Sequence, residues 1–122
     1  MVTIKSYTDL EQSKKLAEIL PLESADMCWQ YQKDRWVGEP DYNVYPQFEH
    51  ATDKRDIPCW SLSSLLCVLP KGIRLLKSAN ISSVGDVKYH CDCPKDTVHE
   101  WYDNPVDACY EMVMRLNELK ML

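Results

Sequence analysis

The longest stretch of the chain without a charged residue runs from 57 to 70 and places the strongest constraint on the fold. After Ser61, four leucines recur at helical spacing, namely Leu62, Leu65, Leu66 and Leu69. A serine here caps a helix by accepting a hydrogen bond from a first-turn amide, and the leucines share one helical face. Pro70 and Gly72 then stop the helix. We therefore expect a buried central helix, stabilised by about 1.5–3 kcal/mol for each leucine it buries.

The length and composition of the chain favour one globular domain over residues 1–122. Hydrophobic residues make up 45% of the chain and charged residues 27%, as in ordinary globular proteins. The formal net charge of −5 repels a phosphate backbone, so we expect no nucleic-acid partner. Residues 1–8 lack the apolar core of a secretory signal, and no segment approaches the ~20 apolar residues that cross a bilayer. We therefore expect a cytoplasmic protein that does not contact a membrane.

The first half of the chain predicts a helix followed by two strands. Thr8 and Glu11 have the spacing of a capping box, which starts the helix, and Pro21 ends it. Apolar residues alternate over 27–32, and an extended pattern resumes over 43–48 after glycine and proline. These two strands form a loose hairpin.

The second half predicts three strands and a final helix. The strands cover 73–77, 87–93 and 97–101 and form an antiparallel meander, because turn residues separate them. Asn104 caps the last helix, and Pro105 stands at its first position, where a missing amide costs nothing. Its buried stripe comprises Val106, Cys109, Tyr110, Val113 and Leu116.

Together these elements predict an α+β fold in the order α-β-β-α-β-β-β-α. Three helices pack on one face of an antiparallel sheet of about five short strands. Amphipathic helices and half-buried strands must cover each other in this way to remove their apolar faces from water.

Six of the twelve aromatic residues fall within residues 29–48. One interpretation is that they pair across the hairpin and fill a small core. The other is that they form a surface on which a ligand or partner stacks. Under this second interpretation the candidate binding residues are Trp36, Tyr42 and Tyr45.

The densest cluster of metal-ligating side chains is His90, Cys91, Asp92 and Cys93, followed by His99. On a strand, Cys91 and Cys93 face one side and His90 the other, so one zinc ion could take Cys91, Cys93 and His99 from the next strand. The alternative is that both thiols are buried as small apolar groups while the histidines face solvent, with no cofactor. In a reducing cytosol the six cysteines are expected to be thiols or metal ligands and not a disulfide framework.

Cys59 is the candidate nucleophile of a small cysteine enzyme. It stands just before the central helix, where free amides lower the pKa of a thiol. No base is identifiable for it, and the alternative is a core thiol packed beside Trp60. Cys67 and Cys109 lie within predicted helices and are expected to be inert. Glycine-rich phosphate loops and hydrolase or metalloprotease motifs do not occur, so no catalytic residue is assigned.

Residues 57–62, 69–70 and 103–109, with residues 24–27 before them, carry a resemblance that covers most of the chain from about Leu16 onward. There the chain resembles a group of small uncharacterised proteins from gut Bacteroides-type bacteria and their phages or mobile elements. The shared residues are those interpreted here as helix caps and core. The resemblance implies an intracellular, accessory role and supplies no catalytic residue.

Two functions are therefore predicted. The first is a non-enzymatic protein-interaction or accessory protein, encoded by a phage or mobile element, that binds an unknown protein partner through the aromatic surface. The second is a small zinc-binding module that uses Cys91, Cys93 and His99.

Overall fold

A computed structural model describes residues 5–34, 36–43, 45–49, 53–79, 87–93 and 100–122. Within these residues the protein is α+β, with three α-helices and two antiparallel sheets of two strands each. The helices are α1 (Leu10–Ala17), α2 (Leu62–Val68) and α3 (Pro105–Glu118). The strands are β1 (Met27–Trp29), β2 (Ile57–Cys59), β3 (Arg74–Ala79) and β4 (Val87–Asp92). A 3₁₀ turn, Leu22–Ser24, lies between α1 and β1.

Within the described residues the strands form two sheets, which does not match the predicted single sheet of about five strands. β1 pairs with β2, and Cys28 lies opposite Pro58 in that register. In the predicted partner strand over 43–48, Gln47 forms an isolated bridge to Cys28, and Tyr42, just before that range, bridges to Tyr31. Pro46 cannot donate to a ladder, which agrees with a single bridge at Gln47. Residues 97–99 of the last predicted strand lie outside the described residues, and Tyr102 beyond them bridges to Tyr89.

The chain divides into two compact units. The first unit comprises Tyr7–Ser64, and the second comprises Met1–Ser6 with Leu65–Leu122. The expectation of one domain over 1–122 stays a prediction, and the two units are described separately below.

The first unit is held together around a buried threonine. Thr8 is fully buried, its hydroxyl lies 2.8 Å from the hydroxyl of Ser13, and it accepts a hydrogen bond from the backbone amide of Trp60 at 3.2 Å. The prediction that Thr8 caps α1 is therefore off by one residue. Asp9 is the cap instead: its carboxylate accepts from the amide of Gln12, whose side chain accepts from the amide of Asp9.

The strand β1 is buried on both faces, which contradicts the alternation expected from its sequence. Cys28 is fully buried, like its neighbours Met27 and Trp29 at 5% and 8% exposure. Cys28 is also paired at both edges of the strand, with Gln47 on one and Pro58 on the other. A small core forms on one face of the strands from Met27, Trp29 and Cys59.

Ser61 caps α2 as predicted, because its hydroxyl accepts a hydrogen bond from the amide of Ser64 at 3.2 Å. The predicted burial of four leucines is wrong. Leu65 is fully buried, whereas Leu66 is 43% exposed and Leu62 and Leu69 are half-buried. Ser64 lies on the buried side instead and donates to the carbonyl of Ser61, so the buried face of this short helix is narrower than its apolar sequence indicated.

The second unit contains the β3–β4 pair, on which α3 packs. Asn104 caps α3 by accepting from the amide of Asp107 at 2.8 Å, and Pro105 occupies the first turn, as predicted. The predicted apolar stripe of α3 is buried throughout, at Val106, Cys109, Tyr110, Val113 and Leu116. Among the described residues, no helix has both the length and the apolar character needed to cross a bilayer.

Replacing the cap of α3 provides a test of this account. We expect Asn104→Ala to lower the free energy of unfolding by about 0.5–2 kcal/mol, because the amide of Asp107 loses its acceptor. Urea denaturation followed by circular dichroism measures the change. Asn104→Ser keeps an acceptor and should stay within a few tenths of a kcal/mol of the parent; equal loss in both variants would contradict the capping role.

Candidate functional site

A tight turn in the first unit presents two apolar side chains to solvent. Trp36 is 79% exposed and Val37 is completely exposed. The amide of Glu39 donates to the carbonyl of Trp36, and the amide of Trp36 donates to the carboxylate of Glu39, both at 3.1 Å. Gly38 between them has φ +94°, a conformation that favours glycine. The turn is therefore held in shape by one backbone hydrogen bond and by the carboxylate of Glu39.

Tyr45 and Phe48 are also exposed, at 68% and 74%. With Trp36 and Val37 they form what we call the apolar surface group. Of the predicted binding residues, Trp36 and Tyr45 are thus accessible. Tyr42 is half-buried, so its ring contributes to packing as well as to the surface.

Tyr42 fastens the base of the turn. Its ring stands edge-on to that of Tyr31 with 5.8 Å between the ring centres, and its hydroxyl donates to the carbonyl of Arg55. The guanidinium of Arg55 lies 4.0 Å over the Tyr31 ring, and its hydrogen bonds to Asp53 hold the pKa of that carboxyl well below its usual range. These contacts keep the segment that carries Trp36 attached to the body of the unit.

A concave pocket of about 270 Å³ lies in the same unit. Its walls are the apolar parts of Leu10, Trp29, Pro40 and Tyr42, with Lys14, Asp41 and Asn43 as polar lining. Residues 40–43 of this pocket directly follow the turn that carries Trp36. The first unit therefore offers a protruding apolar turn and a partly apolar hollow in the same stretch of chain.

Asp26 accepts hydrogen bonds from both the amide and the hydroxyl of Ser61, the residue that caps α2. Burial acts to raise the pKa of Asp26, but the hydrogen bonds from Ser61 and Ser64 outweigh it and hold the pKa below its ordinary value. The ionised carboxylate therefore stabilises the start of α2.

This arrangement predicts a dependence of stability on pH. Because the folded-state pKa of Asp26 is depressed, its contribution is present above the ordinary value of 3.8 and is lost as the pH falls through the folded-state pKa. We expect Asp26→Asn to be less stable than the parent at pH 7 and the difference to shrink as the pH falls below about 4. Urea denaturation of both proteins from pH 7 to pH 2 measures it. A difference that stays constant over this range would contradict the role of the charge.

Two of the three predicted zinc ligands, Cys91 and Cys93, are buried in the second unit at 3% and 4% exposure. The third, His99, lies outside the described residues. Among the residues that are described, no three His, Cys, Asp or Glu side chains converge as a metal site would require. Zinc binding by Cys91, Cys93 and His99 therefore stays a prediction. The expectation that His90 faces solvent is wrong: His90 is 5% exposed, because Glu100 and Trp101 cover its ring.

Cys59, the candidate nucleophile, is fully buried beside Thr8. Its thiol donates to the carbonyl of Thr8 at 3.4 Å, and burial raises its pKa above the ordinary value of 9.0. At neutral pH the thiolate is thus disfavoured, which is the opposite of what a nucleophile requires.

Thiol labelling distinguishes these environments. Cys67 is exposed, whereas the other five cysteines are buried. We expect a small alkylating reagent at neutral pH to modify Cys67 at least ten times faster than Cys59, because alkylation requires an accessible thiolate. Peptide mass spectrometry over time gives both rates. The denatured protein serves as the reference in which all thiols react alike. Preferential labelling of Cys59 in the folded protein would contradict this expectation and favour the cysteine-enzyme hypothesis.

A cleft of about 230 Å³ opens in the second unit, between the end of β4 and α3. Its lining includes His90, Cys91, Glu100, Tyr102, Glu111 and Arg115. The hydroxyl of Tyr102 donates to the carboxylate of Glu100 at 2.8 Å. Burial, together with that neighbouring carboxylate, raises the pKa of Tyr102 far above its ordinary value, so the phenol keeps its proton at any physiological pH.

At the inner side of this cleft, the sulfur atoms of Cys91 and Cys109 lie 3.9 Å apart. Hydrogen bonding between them lowers the pKa of Cys91, while the same contact and burial raise the pKa of Cys109. Sequence reasoning missed this pair. A signal was present, because Cys109 belongs to the predicted stripe of α3 and Cys91 to one face of β4, but the sequence did not give the register between helix and strand.

No family model, no curated protein and no solved structure matches the chain.

Proposed function

We propose that this chain is a non-enzymatic, intracellular accessory protein that binds a protein partner through the apolar surface group. The observation that carries the proposal is the exposure of Trp36, Val37, Tyr45 and Phe48, each of which leaves about two-thirds or more of its surface in water. Coding by a phage or mobile element belongs to the same proposal and rests on the resemblance alone.

Large apolar side chains in water are unfavourable, at about 25 cal/mol for each Å² that could otherwise be buried. Single exposed apolar residues are common and need no explanation, but contiguous ones mark interaction sites. Tryptophan and tyrosine in particular dominate the binding energy of protein interfaces. Four large apolar side chains are exposed within positions 36–48, two of them adjacent in the chain, and this concentration supports a binding role for the segment.

The shape of the turn supports the same proposal. The two hydrogen bonds between Trp36 and Glu39, together with the φ of Gly38, fix the conformation of residues 36–39 in the absence of a partner. A preformed turn loses less conformational entropy on binding than a flexible loop, so more of the contact energy appears as affinity.

The adjacent pocket suggests the kind of surface that would fit. Its apolar walls suit an aliphatic or aromatic side chain of the partner, while Lys14 and Asp41 offer one charge of each sign. The partner surface would thus combine an apolar protrusion for the pocket with an apolar recess for Trp36.

Substitution of Trp36 tests the proposal. We expect Trp36→Ala to weaken partner binding by about 30-fold or more, which corresponds to a hot-spot loss of about 2 kcal/mol. The free energy of unfolding should stay within about 0.5 kcal/mol of the parent, because the side chain is exposed. Affinity capture from a lysate of the organism that encodes the chain, with quantitative mass spectrometry, compares the parent and the variant. A photo-crosslinking amino acid at Val37 then identifies the protein in direct contact.

Leu22→Ala is the matched control. Leu22 is 59% exposed in the same unit but lies outside the apolar surface group, so its replacement should leave capture unchanged. Equal recovery of every captured protein by the parent, Trp36→Ala and Phe48→Ala would contradict the proposed surface. Crosslinking from Leu22 as efficient as from Val37 would do the same.

A further inference from the structure

We infer that Cys91 and Cys109 form an oxidisable dithiol, in which Cys91 is the thiol that meets a small neutral peroxide and Cys109 is the thiol that resolves it to a disulfide. This assigns a modification site to the second unit, independent of the binding surface proposed for the first.

The two sulfur atoms are placed for this chemistry. They lie 3.9 Å apart, whereas the bonded distance in a disulfide is about 2.05 Å, so a rotation of the cysteine side chains is the kind of movement required. Cys91 belongs to β4 and Cys109 to α3, and these two elements pack directly on each other. Packed elements hold the thiols as neighbours at all times, which gives the resolving step a high effective concentration.

One of the two cysteines belongs to the lining of the cleft. Cys91 is part of that lining, with 3% of its surface exposed, whereas Cys109 is fully buried and is not part of it. A volume of about 230 Å³ holds several molecules of water size, since each occupies about 30 Å³, and hydrogen peroxide is scarcely larger than water. The first oxidation is therefore assigned to Cys91. The lowered pKa of Cys91 agrees with this order, because the thiolate is the form that reacts.

Charge in the cleft selects the kind of oxidant. Glu100, Glu111 and Glu118 contribute three carboxylates to the lining, against the single guanidinium of Arg115. A net negative cleft repels anions such as oxidised glutathione and leaves uncharged hydroperoxides unaffected. The small volume of the cleft likewise favours hydrogen peroxide over a large oxidant such as oxidised glutathione.

The reaction balances with hydrogen peroxide as the oxidant. The Cys91 sulfur attacks one peroxide oxygen, the O–O bond breaks, and Cys91 becomes a sulfenic acid with release of one water. The Cys109 sulfur then attacks the Cys91 sulfur and the S–O bond breaks. The hydroxyl group that leaves takes up the Cys109 thiol proton and forms the second water. In sum, two thiols are oxidised to one disulfide and one peroxide is reduced to two waters. A small uncharged dithiol reverses the change by thiol–disulfide exchange and is itself oxidised to its disulfide.

The test uses the full chain with Cys67→Ser, which removes the exposed thiol that would otherwise react first. Five of the six cysteines then remain. After treatment with hydrogen peroxide we expect two of these five thiols to be lost, and non-reducing peptide mapping to give one cross-linked species that joins Cys91 to Cys109. Dithiothreitol should restore all five. Oxidised glutathione at the same concentration should form the link at least ten times more slowly.

Two further variants separate the steps. Cys109→Ala, checked for folding by circular dichroism, should stop at a sulfenic acid on Cys91 that dimedone traps. Cys93→Ser changes a similarly buried thiol directly after β4 and should form the link at the parental rate. The inference is overturned if the folded Cys67→Ser protein keeps all five thiols, or if its cross-link joins any other pair. Faster linking by oxidised glutathione than by peroxide would overturn the assignment of the oxidant.

Discussion

The first unit depends on a pair of buried hydroxyl groups. Thr8 and Ser13 contact each other in the interior, and between them they also bind the backbone of Trp60 and the indole N–H of Trp29. Three distant parts of the chain are thereby joined at one point. A buried polar group without partners costs about 1–3 kcal/mol, so each of these groups requires the others to be in place. The network consequently specifies a single arrangement of α1, β1 and β2, which apolar contacts alone define less sharply.

The sequence predicted best those elements whose signals are local. Asn104, Pro105 and the stripe that follows them identify α3 because caps and helical periodicity act within a few residues. The cap of α1 is predicted wrongly at Thr8 because the prediction considers local signals alone. The side chain of Thr8 satisfies a capping pattern, and only the distant segment around Trp60 draws it into the interior. The β1–β2 pairing likewise joins residues about thirty positions apart, and no local rule selects Ile57–Cys59 over residues 43–48 as the partner of β1.

The candidate sites also differ in whether local sequence or distant packing determines them. Exposure of Trp36 and Tyr45 could be expected from their position in a glycine- and proline-containing turn, although the sequence left core and surface open as alternatives. Tyr42 belongs to both, since one side of its ring packs while its hydroxyl fastens the loop. The proximity of Cys91 and Cys109 depends on how a helix is rotated and shifted on a strand, and that quantity is set by the packing of whole elements.

Pro58 affects whether a strand from another molecule can pair with β2. The polar groups of Cys28 bind Gln47 on one side of β1, so its neighbour Pro58 in β2 turns its ring nitrogen away from β1. That nitrogen carries no hydrogen, and the outer side of β2 therefore lacks a donor at its midpoint. The next residue that turns its polar groups to this side, Trp60, is already bonded to Thr8 through both its amide and its carbonyl. Neither Pro58 nor Trp60 therefore offers a free amide to a strand from another molecule, which disfavours edge-to-edge aggregation at β2.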